Sequence, residues 1–190
     1  LVRDKINSNN AKFVLESADG TTQLSSSMFN NIYDNQRWNL AVRIKPDKYP
    51  LIGNYVGSPD ESPTYTIEFY GVHSSFEDAT SEFLVSKTLT STSGSGLLSN
   101  SRRFYCGAHL QNFTGSVLQK SDVKIGGLRY YKDYLPNDII KQHNLDPSNY
   151  GLKESYKSST LFANGLSNVH VPTSDLIALS WDFSTVSGSS

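Results

Sequence analysis

Residues 121–151, SDVKIGGLRYYKDYLPNDIIKQHNLDPSNYG, carry the pattern that decides the fold. Val123 and Ile125 alternate with polar residues, which is typical of a half-buried strand. From Leu128 onward the apolar face moves to even-numbered positions, a shift of one residue. Two adjacent glycines, 126–127, stand at the shift. Glycines within a strand pattern predict a β-bulge there, which re-aims the side chains that follow.

One short helix is predicted directly after this strand. Pro136 is tolerated at a helix start, and Leu135 and Ile139 lie four residues apart on one apolar stripe. Asp146 precedes Pro147, and the residue before a proline is pushed out of helical geometry. Because a helix of about two turns is not stable alone in water, we expect it to dock on a sheet.

The remainder of the chain reads as short strands joined by polar turns. Residues 11–16 predict a short strand, and alternation of apolar and polar residues predicts strands at 37–45, 65–71, 83–89 and 177–183. Tyr65, Ile67 and Phe69 are expected to face the core. Glu68 between them is expected to face solvent. Residues 90–100 are rich in Ser, Thr and Gly, which favours a loop.

Composition bounds the class of protein. A chain of 190 residues can form one domain with a substantial core. Seventeen basic and 18 acidic residues indicate no general attraction to nucleic acid or anionic membranes. Cys106 is the only cysteine, so an intrachain disulfide is excluded. No apolar run is long enough to predict membrane insertion. Because the chain starts at Leu1 rather than Met, we expect a piece of a longer protein.

The segment 125–136, IGGLRYYKDYLP, resembles the closing segment of laminin-G-like (concanavalin A-like) jelly-roll modules. Those modules often end in I-D-D-V-R-I-Y-N-x-x-L-S before a helical turn; glycines 126–127 replace the acidic pair here. Residues 38–42, WNLAV, are similar to the W-x-x-A-V strand of the family, and 69–72, FYGV, to its Y-V-D-G strand. The resemblance extends over roughly residues 37–151.

Two segments are similar to modules in large virion structural proteins of tailed bacteriophages: RRFYCGAHLQNFTGSVLQKSDVKIGGLRYY at 102–131 and LIALSWDFSTVSGSS at 176–190. In laminin-G-like modules an L-x-x-W-x-F strand opens the domain, whereas L-S-W-D-F closes this chain. We therefore expect residues 1–175 to form a single laminin-G-like domain. Residues 176–190 are then its final strand, or the first strand of a following module.

The resemblance implies an all-β, antiparallel jelly-roll sandwich with one short helix near the C-terminal half. It also implies a non-enzymatic virion protein of the tail or baseplate type, assembled in the host cytoplasm. Such a protein acts by contact with other virion subunits in a multimeric assembly, without a cofactor, nucleic acid or membrane insertion. The same fold also carries lectins, so recognition of host-surface glycans is the alternative.

A hydrolase is a third hypothesis, since concanavalin A-like folds include glycosidases with two carboxylates across a cleft. The acidic residues available are Glu77, Asp78 and Glu82. Adjacent Glu77 and Asp78 point to opposite faces of a strand, and Glu82 follows at a spacing of five. This pattern does not match paired catalytic carboxylates. The four histidines have no metal-ligand spacing, so no catalytic residue and no metal site is predicted.

Binding residues for a partner or glycan are predicted on the segment after the glycine pair. If Tyr130 points inward, Tyr131 and Arg129 share the outer face, and Tyr134 lies close by. Aromatic rings and a guanidinium suit stacking and hydrogen bonding to a sugar or to a protein. Packing of the same side chains against the helix or a neighbouring chain is the alternative.

Overall fold

The computed structural model describes residues 1–17, 20, 22–47, 64–75, 78–99, 105–110, 115–120, 123–147 and 176–183. In this part of the chain the strands are β1 (Val2–Arg3), β2 (Ala11–Lys12), β3 (Val14–Glu16), β4 (Gln23–Ser25), β5 (Trp38–Pro46), β6 (Tyr65–Ser75), β7 (Asp78–Leu89), β8 (Ala108–Leu110), β9 (Val117–Lys120), β10 (Leu128–Tyr131) and β11 (Ile177–Trp181). The helices are α1 (Ser91–Ser99) and α2 (Asn137–Leu145). The predicted β-rich class is therefore confirmed.

A three-stranded antiparallel sheet, ordered β5-β6-β7, organises the described residues. Val42 pairs with Phe69, and Phe69 pairs with Val85 on the other side. The remaining described strands form the two-stranded pairs β1-β2, β3-β4, β8-β9 and β10-β11. The strands predicted at 37–45, 65–71 and 83–89 are confirmed, although β6 and β7 extend beyond the predicted bounds.

One face of this sheet packs against the N-terminal strands in an aromatic core. Its buried residues are Ala11, Phe13, Leu24, Ile32, Tyr65, Ile67, Phe69, Phe83 and Leu89. The Phe13 ring centroid lies 4.8 Å from that of Trp38 and 5.2 Å from that of Phe83. The predicted inward orientation of alternate β6 residues is confirmed. Clustered rings of this kind contribute packing energy beyond their buried area.

Helix α2 covers part of the opposite face, as predicted. Leu135 and Ile140 pack on Tyr70 and Val72 of β6 in a second buried cluster. The helix ends before Pro147, where the Asp146 amide closes the last turn on the carbonyl of Gln142 at 2.9 Å. The short helix is thus stabilised by the sheet beneath it rather than by its own turns.

Helix α1 corrects the prediction of a loop at 90–100, and of a single helix. The hydroxyl of Thr90 accepts a hydrogen bond from the Ser93 amide at 3.3 Å, which caps the helix start. Gly94 lies directly against the ring of Tyr65, where a Cβ would overlap it. A Ser- and Gly-rich composition favours loops, but a cap and a close tertiary contact override that propensity here.

Strands β10 and β11 form a two-stranded ribbon, and the bulge predicted at the glycine pair is not part of it. Residues 123–127 precede β10 and are exposed, so the glycine pair lies outside the strand. A Cβ on Gly127 would lie 3.1 Å from the carbonyl oxygen of Trp181, so glycine serves the close approach of β11. The register shift falls between Tyr130 and Tyr131, which pair with Leu179 and Ile177 and leave one extra residue on β11.

The strand predicted at 177–183 is confirmed as β11, and it pairs antiparallel with β10. The Lys132 amide extends this pairing by a hydrogen bond to the carbonyl of Leu176 at 2.8 Å. Such pairing is the arrangement expected if residues 176–190 complete the domain. The boundary at 175 itself lies outside the described residues and stays a prediction.

Two glycines in α1 provide a matched test of the contact with the sheet. We expect Gly94→Ala to destabilise the protein by about 1–3 kcal/mol, because the new methyl group must displace the Tyr65 ring. Gly96 has open space around its Cβ position, so Gly96→Ala should stabilise by up to about 1 kcal/mol. Urea unfolding measures both. Equal effects of the two changes would contradict the packing of α1 on Tyr65.

Candidate functional site

A buried charge pair lies under the segment that leads into α2. Arg43 of β5 and Glu68 of β6 are directly paired residues on adjacent strands. Their atoms Nη2 and Oε2 are 2.9 Å apart, and the residues are only 6% and 7% exposed. The prediction that Glu68 faces solvent is wrong, because Leu135 and its neighbours cover this second face of the sheet. Burying either charge without the other would leave its desolvation cost uncompensated.

Further donors complete the surroundings of the pair. The Tyr134 hydroxyl donates to Glu68 Oε2 at 2.9 Å, and Lys45 Nζ lies 3.3 Å from Oε1. Arg43 Nη1 donates to the Leu135 carbonyl at 2.9 Å, and its guanidinium lies 4.8 Å from the centre of the Tyr134 ring. Burial, together with the hydrogen bond to Glu68, raises the pKa of the Tyr134 phenol. We name these four side chains the Arg43 cluster.

A second charged contact lies further along the same face. The Tyr70 hydroxyl donates to Glu82 Oε2 at 2.7 Å, and Lys141 Nζ of α2 lies 2.9 Å from the same oxygen. The hydrogen bonds from Lys141 and Tyr70 lower the pKa of Glu82. Burial, followed by the contact with Glu82, raises the pKa of Tyr70. The Arg43 cluster holds the segment before α2 against the sheet, and the Glu82 contact holds α2 itself through Lys141.

Side-chain amides and guanidinium groups also bind the backbone of α2. Asn39 Nδ2 donates to the Ile140 carbonyl at 3.0 Å, and Arg37 donates to the Asn144 carbonyl. The Asn144 side chain, itself buried, donates to Ser74 Oγ at 2.6 Å. Polar side chains of Arg37, β5 and β6 therefore anchor the helix at residues 140 and 144.

The carboxylates of these two clusters are Glu68 and Glu82. Each carboxylate is already bound by a cation and a tyrosine hydroxyl. Of the hydrolase candidates, Glu77 lies outside the described residues, Asp78 begins β7, and Glu82 binds Lys141. Across the described ranges, no three His, Cys, Asp or Glu side chains are grouped as metal ligands would be. The observed geometry holds α2 on the sheet.

Of the three predicted binding residues, Arg129 and Tyr131 lie in β10, and Tyr134 lies between β10 and α2. Tyr134 belongs to the Arg43 cluster. Tyr131 packs against the second buried cluster and stacks on His143 at a centroid distance of 5.8 Å. Arg129 donates to the Pro147 carbonyl. The alternative weighed from the sequence, packing against the helix, describes Tyr131; their role in binding a partner or glycan stays a prediction.

The orientation predicted for the ribbon is reversed. Tyr130 is 44% exposed, whereas Tyr131 faces α2. Because residues paired across strands share a face, Leu128 and Tyr130 lie on the same side as Trp181 and Leu179. Trp181 is 42% exposed. We call these four residues, on the side away from α2, the outer ribbon face.

Phe183 extends the outer ribbon face. Its ring centroid lies 6.4 Å from that of Trp181. Its backbone has φ 55°, a left-handed conformation that bulky residues rarely adopt. The sequence pattern predicts a common face for Leu179, Trp181 and Phe183, because they alternate with polar residues. The pattern contained no signal that this face is turned outward.

Comparisons with protein-family models, curated proteins and solved structures found no match to this chain. Among the described helices, none has the length and apolar character needed to cross a membrane.

Substitutions at the buried pair test whether it fastens the Arg43 cluster. We expect Glu68→Leu alone to destabilise the protein by about 3–5 kcal/mol, because Arg43 then stays buried without its counter-charge. Arg43→Met combined with Glu68→Leu should recover most of that loss, since an apolar pair of similar volume needs no counter-charge. Chemical unfolding of the single and double variants measures the coupling.

If the losses in unfolding free energy caused by Arg43→Met and Glu68→Leu add up, the double variant is less stable than either single variant. That result would contradict this account. Lys141→Met provides a matched control at the half-exposed contact with Glu82. This variant should lose less than about 1 kcal/mol of unfolding free energy, since exposed ion pairs contribute little to stability.

Proposed function

We propose that this chain is a non-enzymatic, laminin-G-like jelly-roll module of a virion structural protein of a tailed bacteriophage. Its place is in a tail or baseplate, where it acts through contacts with other subunits. The resemblance of residues 102–131 and 176–190 to virion modules motivates the proposal. The β-rich fold, with an antiparallel sheet that carries a buried cluster on each face, is compatible with it.

The outer ribbon face is the observation that carries the contact mechanism. Tyr130 and Trp181 are 44% and 42% exposed at diagonal positions of one ribbon face, whose other two members are leucines. Contiguous exposed apolar surface marks interaction sites on proteins, and Tyr and Trp are enriched in interface cores. The opposite side of the ribbon is occupied by α2. The outer side is thus the side that a neighbouring subunit would bury.

The charged clusters support the same mechanism from within. Lys141, Arg43 and Asn39 fasten α2 to β5, β6 and β7, and Tyr131 joins α2 to β10. A ribbon held in this way presents its aromatic residues on a fixed support. Fixed presentation reduces the conformational entropy lost on association.

Incorporation into particles tests the proposal. Mass spectrometry of purified virions should detect this chain. Trp181→Ser and Tyr130→Ser should each lower its incorporation at least tenfold, because burial of these rings supplies the affinity. Leu98→Ser is the matched control: Leu98 is an exposed apolar residue on α1, and its change should leave incorporation unaltered.

Absence of the chain from purified particles would refute the virion role. Full incorporation of both ribbon variants would refute the outer ribbon face as the contact surface. Near-ultraviolet circular dichroism of each variant distinguishes a lost contact from a lost fold.

Carbohydrate recognition is the second candidate function, and the same rings favour it. Sugars stack their apolar faces on exposed aromatic side chains, as Tyr130 and Trp181 are. The unusual φ of Phe183 places a third ring beside Trp181. Backbone conformations of this kind are retained where the surroundings require them, often at binding sites.

A glycan array distinguishes the two candidates. A lectin should give reproducible signals that Trp181→Ala abolishes and Tyr131→Phe retains, since Tyr131 faces α2. No signal from the folded wild-type protein on a broad panel of bacterial surface glycans would exclude glycan binding.

A further inference from the structure

The His143 ring, in the last turn of α2, stacks on Tyr131 of the ribbon. The imidazole lies nearly parallel to the ring of Tyr131, with 5.8 Å between centroids and 14° between planes. Its Nε2 atom is buried, and it has no hydrogen-bond partner within the described residues. A neutral imidazole tolerates this environment. An imidazolium would bury a donor and a charge without an acceptor.

The charges around His143 make protonation still less favourable. Arg129 of β10 shares the strand face of Tyr131 and reaches the Pro147 carbonyl just beyond α2. Asp146 is the acidic group that acts in the opposite direction. Burial first, and then Arg129, lower the pKa of His143 to about 4, while Asp146 partly offsets them.

The other charged groups on the elements packed against α2 are engaged elsewhere. Arg37, which directly precedes β5, binds the Asn144 carbonyl, and the His73 ring of β6 is bonded to the Arg37 carbonyl. Glu68 binds Arg43 and Lys45, and Glu82 binds Lys141. Among these described groups, the carboxylates of Glu68 and Glu82 are thus each paired with a lysine or arginine.

We propose that the stacked pair His143–Tyr131 is an acid-released latch, which joins the last turn of α2 to the ribbon β10-β11 at neutral pH and opens as the imidazole is protonated. The proposal goes beyond the proposed function and does not depend on it. It adds a conformational response to the surface that carries the outer ribbon face.

The direction of the pH effect follows from proton binding in the two states. Well above pH 6.5, His143 is neutral whether the latch is closed or open, and pH has no effect on the equilibrium. Between pH 6.5 and about 4, the open state binds a proton that the closed state excludes, so acidification favours opening. With these two values, the opening equilibrium constant rises about 20-fold between pH 7 and pH 5.

The rest of the α2 contact should persist in this pH window. The pKa of Glu82 is lowered by its hydrogen bonds from Lys141 and Tyr70, so the contact with Lys141 survives to lower pH than an isolated glutamate would allow. Opening is therefore local to the end of α2 and to the ribbon.

Hydrogen exchange of the 190-residue chain between pH 7 and pH 5, corrected for intrinsic rates, tests the latch. Protection of the Asp146 and Lys132 amides, which close the α2 end and the ribbon end, should fall about 20-fold. Amides within β5-β6 should keep their protection. His143→Phe retains a stacked ring without a titrating nitrogen and should abolish the loss. His73→Gln, which removes a histidine from β6, should retain it.

An acid response that persists in His143→Phe, or an equal loss of protection in β5-β6, would overturn the latch. If His143→Phe does not fold, the wild-type protein still decides the matter by NMR titration of its imidazole signals. The latch predicts that the pKa of His143 lies near 4. A value of 6 or above would overturn it.

Discussion

The pairing of Arg43 with Glu68 is the interaction on which the second face of the sheet depends. β5 and β6 place two charges on the face of the sheet that the segment leading into α2 covers. Neither charge can be buried alone. Together they bind Tyr134, Lys45 and the Leu135 carbonyl, and so fix the point where the chain turns into α2. These contacts stabilise a helix that is too short to be stable alone.

This arrangement explains where prediction from the sequence succeeded. Alternation of apolar residues identified β5, β6, β7 and β11, because burial of one face imposes a period of two on any strand. Pro136 and Pro147 bounded α2 because proline limits the backbone on its N-terminal side as well as its own. These signals are local, and they do not depend on what the element packs against.

The errors share a physical cause, which is dependence on a partner distant in sequence. Glu68 looked exposed because its counter-charge is on another strand, 25 residues earlier (68 − 43). The 126–127 glycines looked like a bulge because the approaching strand, β11, is far along the chain. Tyr131 and Tyr130 exchanged roles for the same reason. No local pattern states which face of a two-stranded ribbon a helix will cover.

The outer ribbon face exposes parts of the Tyr130 and Trp181 rings, and its burial in an assembly is the central claim. Hydroxyl-radical footprinting of Trp181 and Tyr130, in purified particles and in the isolated chain, tests it most directly. We predict that both rings are oxidised in the isolated chain and protected in the particle, while the exposed Leu98 reacts equally in both. Equal oxidation of Trp181 in the two samples would contradict the claim.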